Sequence, residues 1–138
     1  MDITAALDFA RTTRNGVLTT IKRDGRPQLS NITYGIGDDG VIRISITAGR
    51  AKYANLVRDG RASLHVTQAD FWKYAVLVGT ATVSPVAAEV DDSTTEELVE
   101  LYRSLAGEHP DWNDYREVMV RDGRTVVHLT PTHAYGMI

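Results

Sequence analysis

Apolar residues at Ile3, Ala6, Leu7 and Ala10 recur at i, i+3, i+4 and i+7, which predicts a short amphipathic helix over residues 3–13. Asn15-Gly16 is its stop signal. Val17-Leu18-Thr19-Thr20-Ile21 then reads as a strand, and Asp24-Gly25 marks a hairpin turn. The returning strand covers residues 26–36, with Pro27 near its start, where a missing ladder donor is tolerated. A second turn, Gly37-Asp38-Asp39-Gly40, leads into a third strand over 41–47, so a three-stranded antiparallel meander is expected.

A short helix follows from Ala51, with Ala54, Asn55 and Leu56 clustered on one side and Asp59-Gly60 at its end. Residues 62–66 and 73–84 read as strands, the longer one holding Gly79, which marks a bulge or a close backbone approach. Residues 85–92 form a Pro/Ala/acidic connector. Asp91 to Thr95 supply N-cap candidates for a helix carrying Leu98, Leu101, Tyr102 and Leu105, closed by Gly107. A shorter helix over 112–121 and a last strand over 124–129, with an extension past Pro131 to Tyr135, complete the chain. Hairpin turns and short strands favour one domain over residues 1–138. Its expected class is mainly β with helices, a barrel of about six antiparallel strands with a helical insertion. So small a container is expected to hold a ligand in an outer groove that a partner completes.

Composition narrows the function classes. The 138 residues are 43% hydrophobic and 24% charged, as in one soluble globular domain. Fifteen basic and eighteen acidic residues give a net charge of −3, so no nucleic-acid partner is expected and any anion site must be local. Cysteine is absent, which removes disulfides, thiolate nucleophiles and cysteine metal sites, and fits a cytoplasmic location. The N-terminus lacks a secretory pattern. The longest apolar run, Tyr74 to Val78, falls far short of the ~20 residues that cross a bilayer, so no membrane role is expected.

Three segments carry candidate chemistry. Thr47-Ala48-Gly49-Arg50-Ala51-Lys52 is a strand end feeding a helix, where free N–H groups beside two cations make a phosphate cradle or a solvated helix start. Along residues 25–31, Gln28 and Ser30 share one strand face while Leu29 and Asn31 share the other. Those amides and the hydroxyl suit the polar edge of a flat heterocycle, or simply face solvent. Phe71-Trp72-Lys73-Tyr74 suits a ring stack, a cleft cover, or ordinary core and dimer packing. His65, His109, His128 and His133 have no metal-ligand spacing, and neither a nucleophile elbow nor a Gly-rich nucleotide loop occurs.

In order, three blocks resemble the actinobacterial deazaflavin-dependent oxidoreductases of the split β-barrel, pyridoxamine 5'-phosphate oxidase-like superfamily. They are Arg26-Pro27-Gln28-Leu29-Ser30-Asn31, then Arg50-Ala51-Lys52 with Asn55-Leu56 and Arg58-Asp59-Gly60-Arg61-Ala62-Ser63, then Trp72-x-Tyr74-Ala75 with Gly79-Thr80-Ala81. Leu101-Tyr102-Arg103, Gly107-Glu108-His109-Pro110-Asp111-Trp112 and Tyr115-Arg116 extend the likeness over nearly the whole chain.

The resemblance implies a homodimer with cofactor sites at its interface. Arg50 and Lys52, with the Ala51 backbone, would hold the cofactor phosphate. Thr20, Gln28, Ser30, Asn31, Ser45 and Thr47 would line the deazaflavin and its ribityl chain, and Trp72 and Tyr74 would approach from the other subunit. The implied activity is an oxidoreductase that uses reduced coenzyme F420 to pass hydride to a conjugated small-molecule acceptor. The alternatives are an FMN-dependent enzyme of the same barrel class and a non-catalytic F420-binding carrier.

Overall fold

Runs of β-branched residues separated by glycine turns fold into one antiparallel sheet of seven strands in the computed structural model, which describes residues 1–138. The strands are β1 (Asn15–Ile21), β2 (Pro27–Thr33), β3 (Gly35–Ile36), β4 (Ile42–Thr47), β5 (Arg61–Thr67), β6 (Tyr74–Val83) and β7 (Arg124–Met137). The helices are α1 (Ile3–Ala10), α2 (Ala51–Arg58), α3 (Ser93–Ala106) and α4 (Trp112–Arg121). The sheet runs β2-β1-β5-β6-β7-β4-β3 and curls until β2 approaches β4 across an unpaired seam. No helix is long and apolar enough to cross a membrane.

The Asp24-Gly25 hairpin forms, with Gly25 at φ +87° and Thr20 opposite Gln28. The meander does not. Tyr34 ends the β2 ladder: its N–H bonds Arg14 O, and its buried hydroxyl donates to Ala10 O at 2.6 Å under the end of α1. Burial pushes the Tyr34 phenol well above its ordinary pKa, so it stays a donor. The chain therefore turns away from β2 at Thr33 and crosses to the far side of the sheet as β3 and β4. That split of the expected 26–36 strand is why there are seven strands rather than six. Helix α1 likewise stops at Ala10, short of residue 13, and β7 continues to Met137.

Alternation along the strands makes two cores. Ile42, Ile44 and Ile46 of β4 and Val127 and Leu129 of β7 point into the barrel with Leu18, Leu64, Val66 and Leu77, and α1 covers this core with Ala6, Leu7, Phe9 and Ala10. On the other face, β4 sets Arg43, Ser45 and Thr47 opposite His128, Val126 and Arg124 of β7. Helices α3 and α4 lie over that face and bury a small second core of Ala87, Leu98, Met119 and Val126. Charge fixes the N-terminal half of α3. Glu97 Oε2 accepts from Arg43 Nε at 3.1 Å and lies 2.7 Å from His128 Nε2, while Arg43 also bridges to Asp39 at 2.9 Å. The Asp92 carboxylate caps α3 and takes the N–H groups of Ala88, Glu89 and Thr95 at 2.8–3.0 Å.

Gly79 serves both roles expected of it. The β6–β7 register shifts between Val78 and Gly79, and a Cβ at Gly79 would stand 2.0 Å from Thr130 O. Gly79→Ala therefore forces the two longest strands apart. Chemical denaturation should show a loss of about 3 kcal/mol or more, the range of severe overpacking against backbone.

Asp92 gives the fold an acid limit. Burial raises its pKa, but the three N–H donors outweigh burial and hold the carboxyl well below its ordinary range. A depressed native pKa contributes stability above about pH 4, and that stability is lost as the pH falls below it. Asp92→Ala should cost about 1–2 kcal/mol at neutral pH. Melting curves of the variant and wild type should converge as the pH drops below about 4.

Candidate functional site

The unpaired seam opens into a cavity of about 590 Å³. Asn31, Ile32 and Thr33 of β2 form one lip, and Ser45, Ile46 and Thr47 of β4 form the other. Arg50, Lys52 and Arg124 close one end; Leu101, Tyr102 and Leu105 of α3 with Tyr115 and Met119 of α4 form the remaining wall.

Strand β4 ends at Thr47, and Arg50 N–H bonds Thr47 O at 3.0 Å, so a tight turn delivers the N-terminus of α2 to the cavity. Arg50 is the N-cap residue but makes no side-chain cap bond. The N–H groups of Ala51 and Lys52 have no hydrogen-bond acceptor in the protein and stand at the positive end of the α2 dipole. Arg124 enters from the other side, directly across the β4–β7 ladder from Thr47. One of its terminal nitrogens lies 3.5 Å from Ser45 Oγ, and its buried Nε has no partner.

None of the three cations has a carboxylate partner, and no Asp or Glu lines the cavity. Burial, and then the charges of Arg50 and Arg124, push the Lys52 ammonium below its usual pKa. The cavity end is thus an uncompensated cationic nest that suits an anion with several acceptor oxygens.

The opposite wall is aromatic. The Tyr102 ring lies 5.0 Å from Tyr115, 5.1 Å from His109 and 5.6 Å from Trp112. Tyr115 donates to Leu98 O at 3.1 Å, which ties α4 to α3, and burial raises its pKa. The guanidinium of Arg103 lies 4.9 Å above Trp112, whose indole N–H donates to Glu108 at 2.8 Å. A ligand with a charged group at one end and a planar or apolar body at the other matches this division.

A family model described as pyridoxamine 5'-phosphate oxidase matches residues 4–138. The chain belongs to that family. Among solved structures, a conserved hypothetical protein from Mycobacterium tuberculosis superposes on this family member with TM-score 0.76 at 24% identity, covering 99% of this chain and 84% of the other. An F420 reductase gives 0.67 at 20% identity, covering 88% and 89%. A heme-binding protein from Mycobacterium smegmatis gives 0.69 at 20% identity, and 98% of this chain covers 53% of that longer one. At these identities the likeness is one of fold.

Of the residues singled out from the sequence, Asn31, Ser45, Thr47, Arg50 and Lys52 line the cavity together, and the Ala51 N–H stands at its cationic end. Thr20, Gln28 and Ser30 lie in an adjoining network that is already satisfied. Arg58 donates to Asn55 Oδ1, Asn55 to Thr20 Oγ1, Thr20 to Gln28 Oε1 and Gln28 to Ser30 Oγ, at 3.0–3.2 Å. Trp72 is 77% exposed on the loop before β6, and Tyr74 stacks on His65 at 5.7 Å, so neither reaches the cavity of its own chain. Sequence reasoning missed Arg124, Tyr102 and Tyr115 as cavity residues. Only the β4–β7 register brings Arg124 to Thr47, a pairing 77 residues apart in the chain. The helical spacing of Leu98, Leu101, Tyr102 and Leu105 did signal that Tyr102 shares a face with buried residues.

Mutual repulsion within the nest predicts that multivalent anions stabilise the protein specifically. Phosphate at 10 mM should raise the melting temperature above that in chloride of equal ionic strength. The difference should vanish in Arg50→Ala/Lys52→Ala.

Proposed function

We propose that this member of the pyridoxamine 5'-phosphate oxidase family is an oxidoreductase that binds coenzyme F420 and reduces a conjugated organic acceptor. The observation that carries the reading is the single cavity that joins a partnerless cationic nest to an aromatic wall. Unpaired N–H groups at Ala51 and Lys52 and the Arg50, Lys52 and Arg124 side chains, none paired with a carboxylate, fit a phosphate-bearing cofactor. The F420 reductase among the structural neighbours adds a precedent on this fold.

Arg50, Lys52 and the Ala51 N–H hold the phosphate. Ser45, Thr47 and Asn31 line the path along the seam and donate or accept along a polyol chain. Gln28 and Ser30, fixed by Thr20 and Asn55, present a rigid polar edge at the neighbouring part of β2. When bound, the reduced deazaflavin supplies hydride from its C5 position. The chain's own contribution is orientation and exclusion of water, with Tyr102, Tyr115, Leu101 and Leu105 as the dry wall.

A second copy of the chain completes the site. Phe71 and Trp72 are 79% and 77% exposed at the β6 end, and Met137, paired with Tyr74, is 61% exposed beside them. So large an apolar cluster is costly in water and favours a homodimer that carries Trp72 and Tyr74 to the partner's cavity.

The test uses coenzyme F420, its phosphate-free deazaflavin core, FMN and riboflavin. Arg50→Ala/Lys52→Ala should weaken F420 binding by roughly ten- to a hundredfold, and leave the phosphate-free core nearly unchanged. Deuterium placed at C5 of reduced F420 should appear in the reduced acceptor. Tight retention of FMN with weak F420 binding would transfer the site to an FMN enzyme. Tight F420 binding without turnover of quinone, enone or tetrapyrrole acceptors would make the protein a carrier.

A further inference from the structure

We infer that Arg58 and Asn55, two residues outside the cavity, fix Ser30 as a hydrogen-bond donor, so the β2 edge takes the carbonyl or anionic edge of a ring and rejects an N–H edge. The inference rests on the proposed docking of a flavin-type ring beside β2 and adds to it two positioning residues and a polarity.

The direction of the hydrogen-bond chain follows from its first member. A guanidinium carries N–H donors and no acceptor. Arg58 Nη2 donates to Ile21 O at 2.6 Å and to Asn55 Oδ1 at 3.0 Å. Asn55 therefore turns its amide oxygen to Arg58 and offers its NH2 to Thr20 Oγ1 at 3.1 Å. The Thr20 hydroxyl, once it accepts that bond, has one proton to give, and it goes to Gln28 Oε1 at 3.2 Å. Gln28 is left with its NH2 toward Ser30 Oγ at 3.1 Å. Ser30 accepts there and donates to no group of the protein. Its proton is the one left over.

Packing alone does not choose this direction, because an Asn or Gln amide turned over by half a rotation keeps nearly the same shape. The guanidinium chooses it. Thr20 is fully buried and Asn55 nearly so, and a reversal at either would set two donors or two acceptors face to face in the interior. The strands supply the spacing: Thr20 stands opposite Gln28 across the β1–β2 ladder, and Gln28 and Ser30 share one face of β2. Ser30 is half-buried and precedes Asn31 on the lip of the cavity, so its free O–H is within reach of a ligand.

Asn55→Asp should reverse the whole chain from a position that touches no ligand. The new carboxylate accepts from both Arg58 and Thr20, so Thr20 becomes an acceptor, Gln28 turns its NH2 to Thr20, and Ser30 must donate inward to Gln28. Nuclear Overhauser contacts of the Gln28 amide protons in isotope-labelled full chain should pass from Ser30 in wild type to Thr20 in Asn55→Asp. Arg58→Met should leave Gln28 in contact with both, and Arg58→Lys, again a donor-only head, should restore the wild-type contact.

Binding is then measured with the anionic phosphate-free deazaflavin core and with riboflavin, both of which present a carbonyl oxygen on the pyrimidine edge. The charge of the new carboxylate acts whether or not Ser30 is present, whereas polarity acts only through Ser30, so Asn55→Asp is compared in wild type and in Ser30→Ala. It should weaken the anionic core about tenfold more in the presence of Ser30 than in its absence, and riboflavin by a smaller factor in the same sense. Equal losses in the two backgrounds, or a Gln28 amide still facing Ser30 in Asn55→Asp, would overturn the polarity assignment and leave the cofactor reading standing. Failure of wild type to bind either ring would overturn both.

Discussion

The ladder between β4 and β7 is the constraint on which the site depends. Its register puts Ile42, Ile44 and Ile46 beside Val127 and Leu129 in the barrel, and the same alternation turns Ser45, Thr47 and Arg124 outward together. A one-residue slip would bury Arg124 and expose the isoleucines, so the apolar core enforces the position of the cationic nest. The site is therefore not assembled by its own polar contacts, which are few and long. It is held by burial on the opposite face of the same two strands.

That division explains how three like charges can share one end of a cavity. Burial lowers the Lys52 pKa most and repulsion from Arg50 and Arg124 lowers it further, an unfavourable term that the barrel core outweighs. The cations and the free N–H groups of Ala51 and Lys52 are thus held in place before any ligand arrives, which is the meaning of a preorganised environment. The adjoining Arg58–Asn55–Thr20–Gln28–Ser30 chain behaves differently. Its members satisfy one another, so they make a stiff polar edge rather than a charged trap.

Local features were legible in the sequence wherever the physics is local. The Asp24-Gly25 hairpin, the Gly79 close approach, the turn from Thr47 into α2 and the acidic start of α3 all declare themselves through backbone preference, capping or periodicity. Strand order was not. A meander is the cheapest guess from adjacency, and it failed because Tyr34 anchors the chain beneath α1 and leaves β2 at the edge. Arg124 escaped for the same reason. It is one cation at the start of a strand, and its meaning lies wholly in a long-range register. Trp72 shows the converse: a local aromatic pattern marked it for the site, yet it is exposed on the loop before β6 and does not line the cavity of its own chain.

The separation of the two cores has an evolutionary consequence. Nineteen buried residues form the barrel core, whereas the second core under the α3–α4 hairpin has four, Ala87, Leu98, Met119 and Val126, with Tyr115, Val118 and Val120 packed against them and the Glu97–Arg43–His128 cluster beside the N-terminal half of α3. Substitutions at Tyr102 or Leu105, both half-buried, fall on this smaller layer and leave the barrel core untouched. The aromatic wall of the cavity can thus drift while the barrel and its cationic nest stay fixed, and a lineage built on this scaffold can reshape one end of the cavity without rebuilding the other.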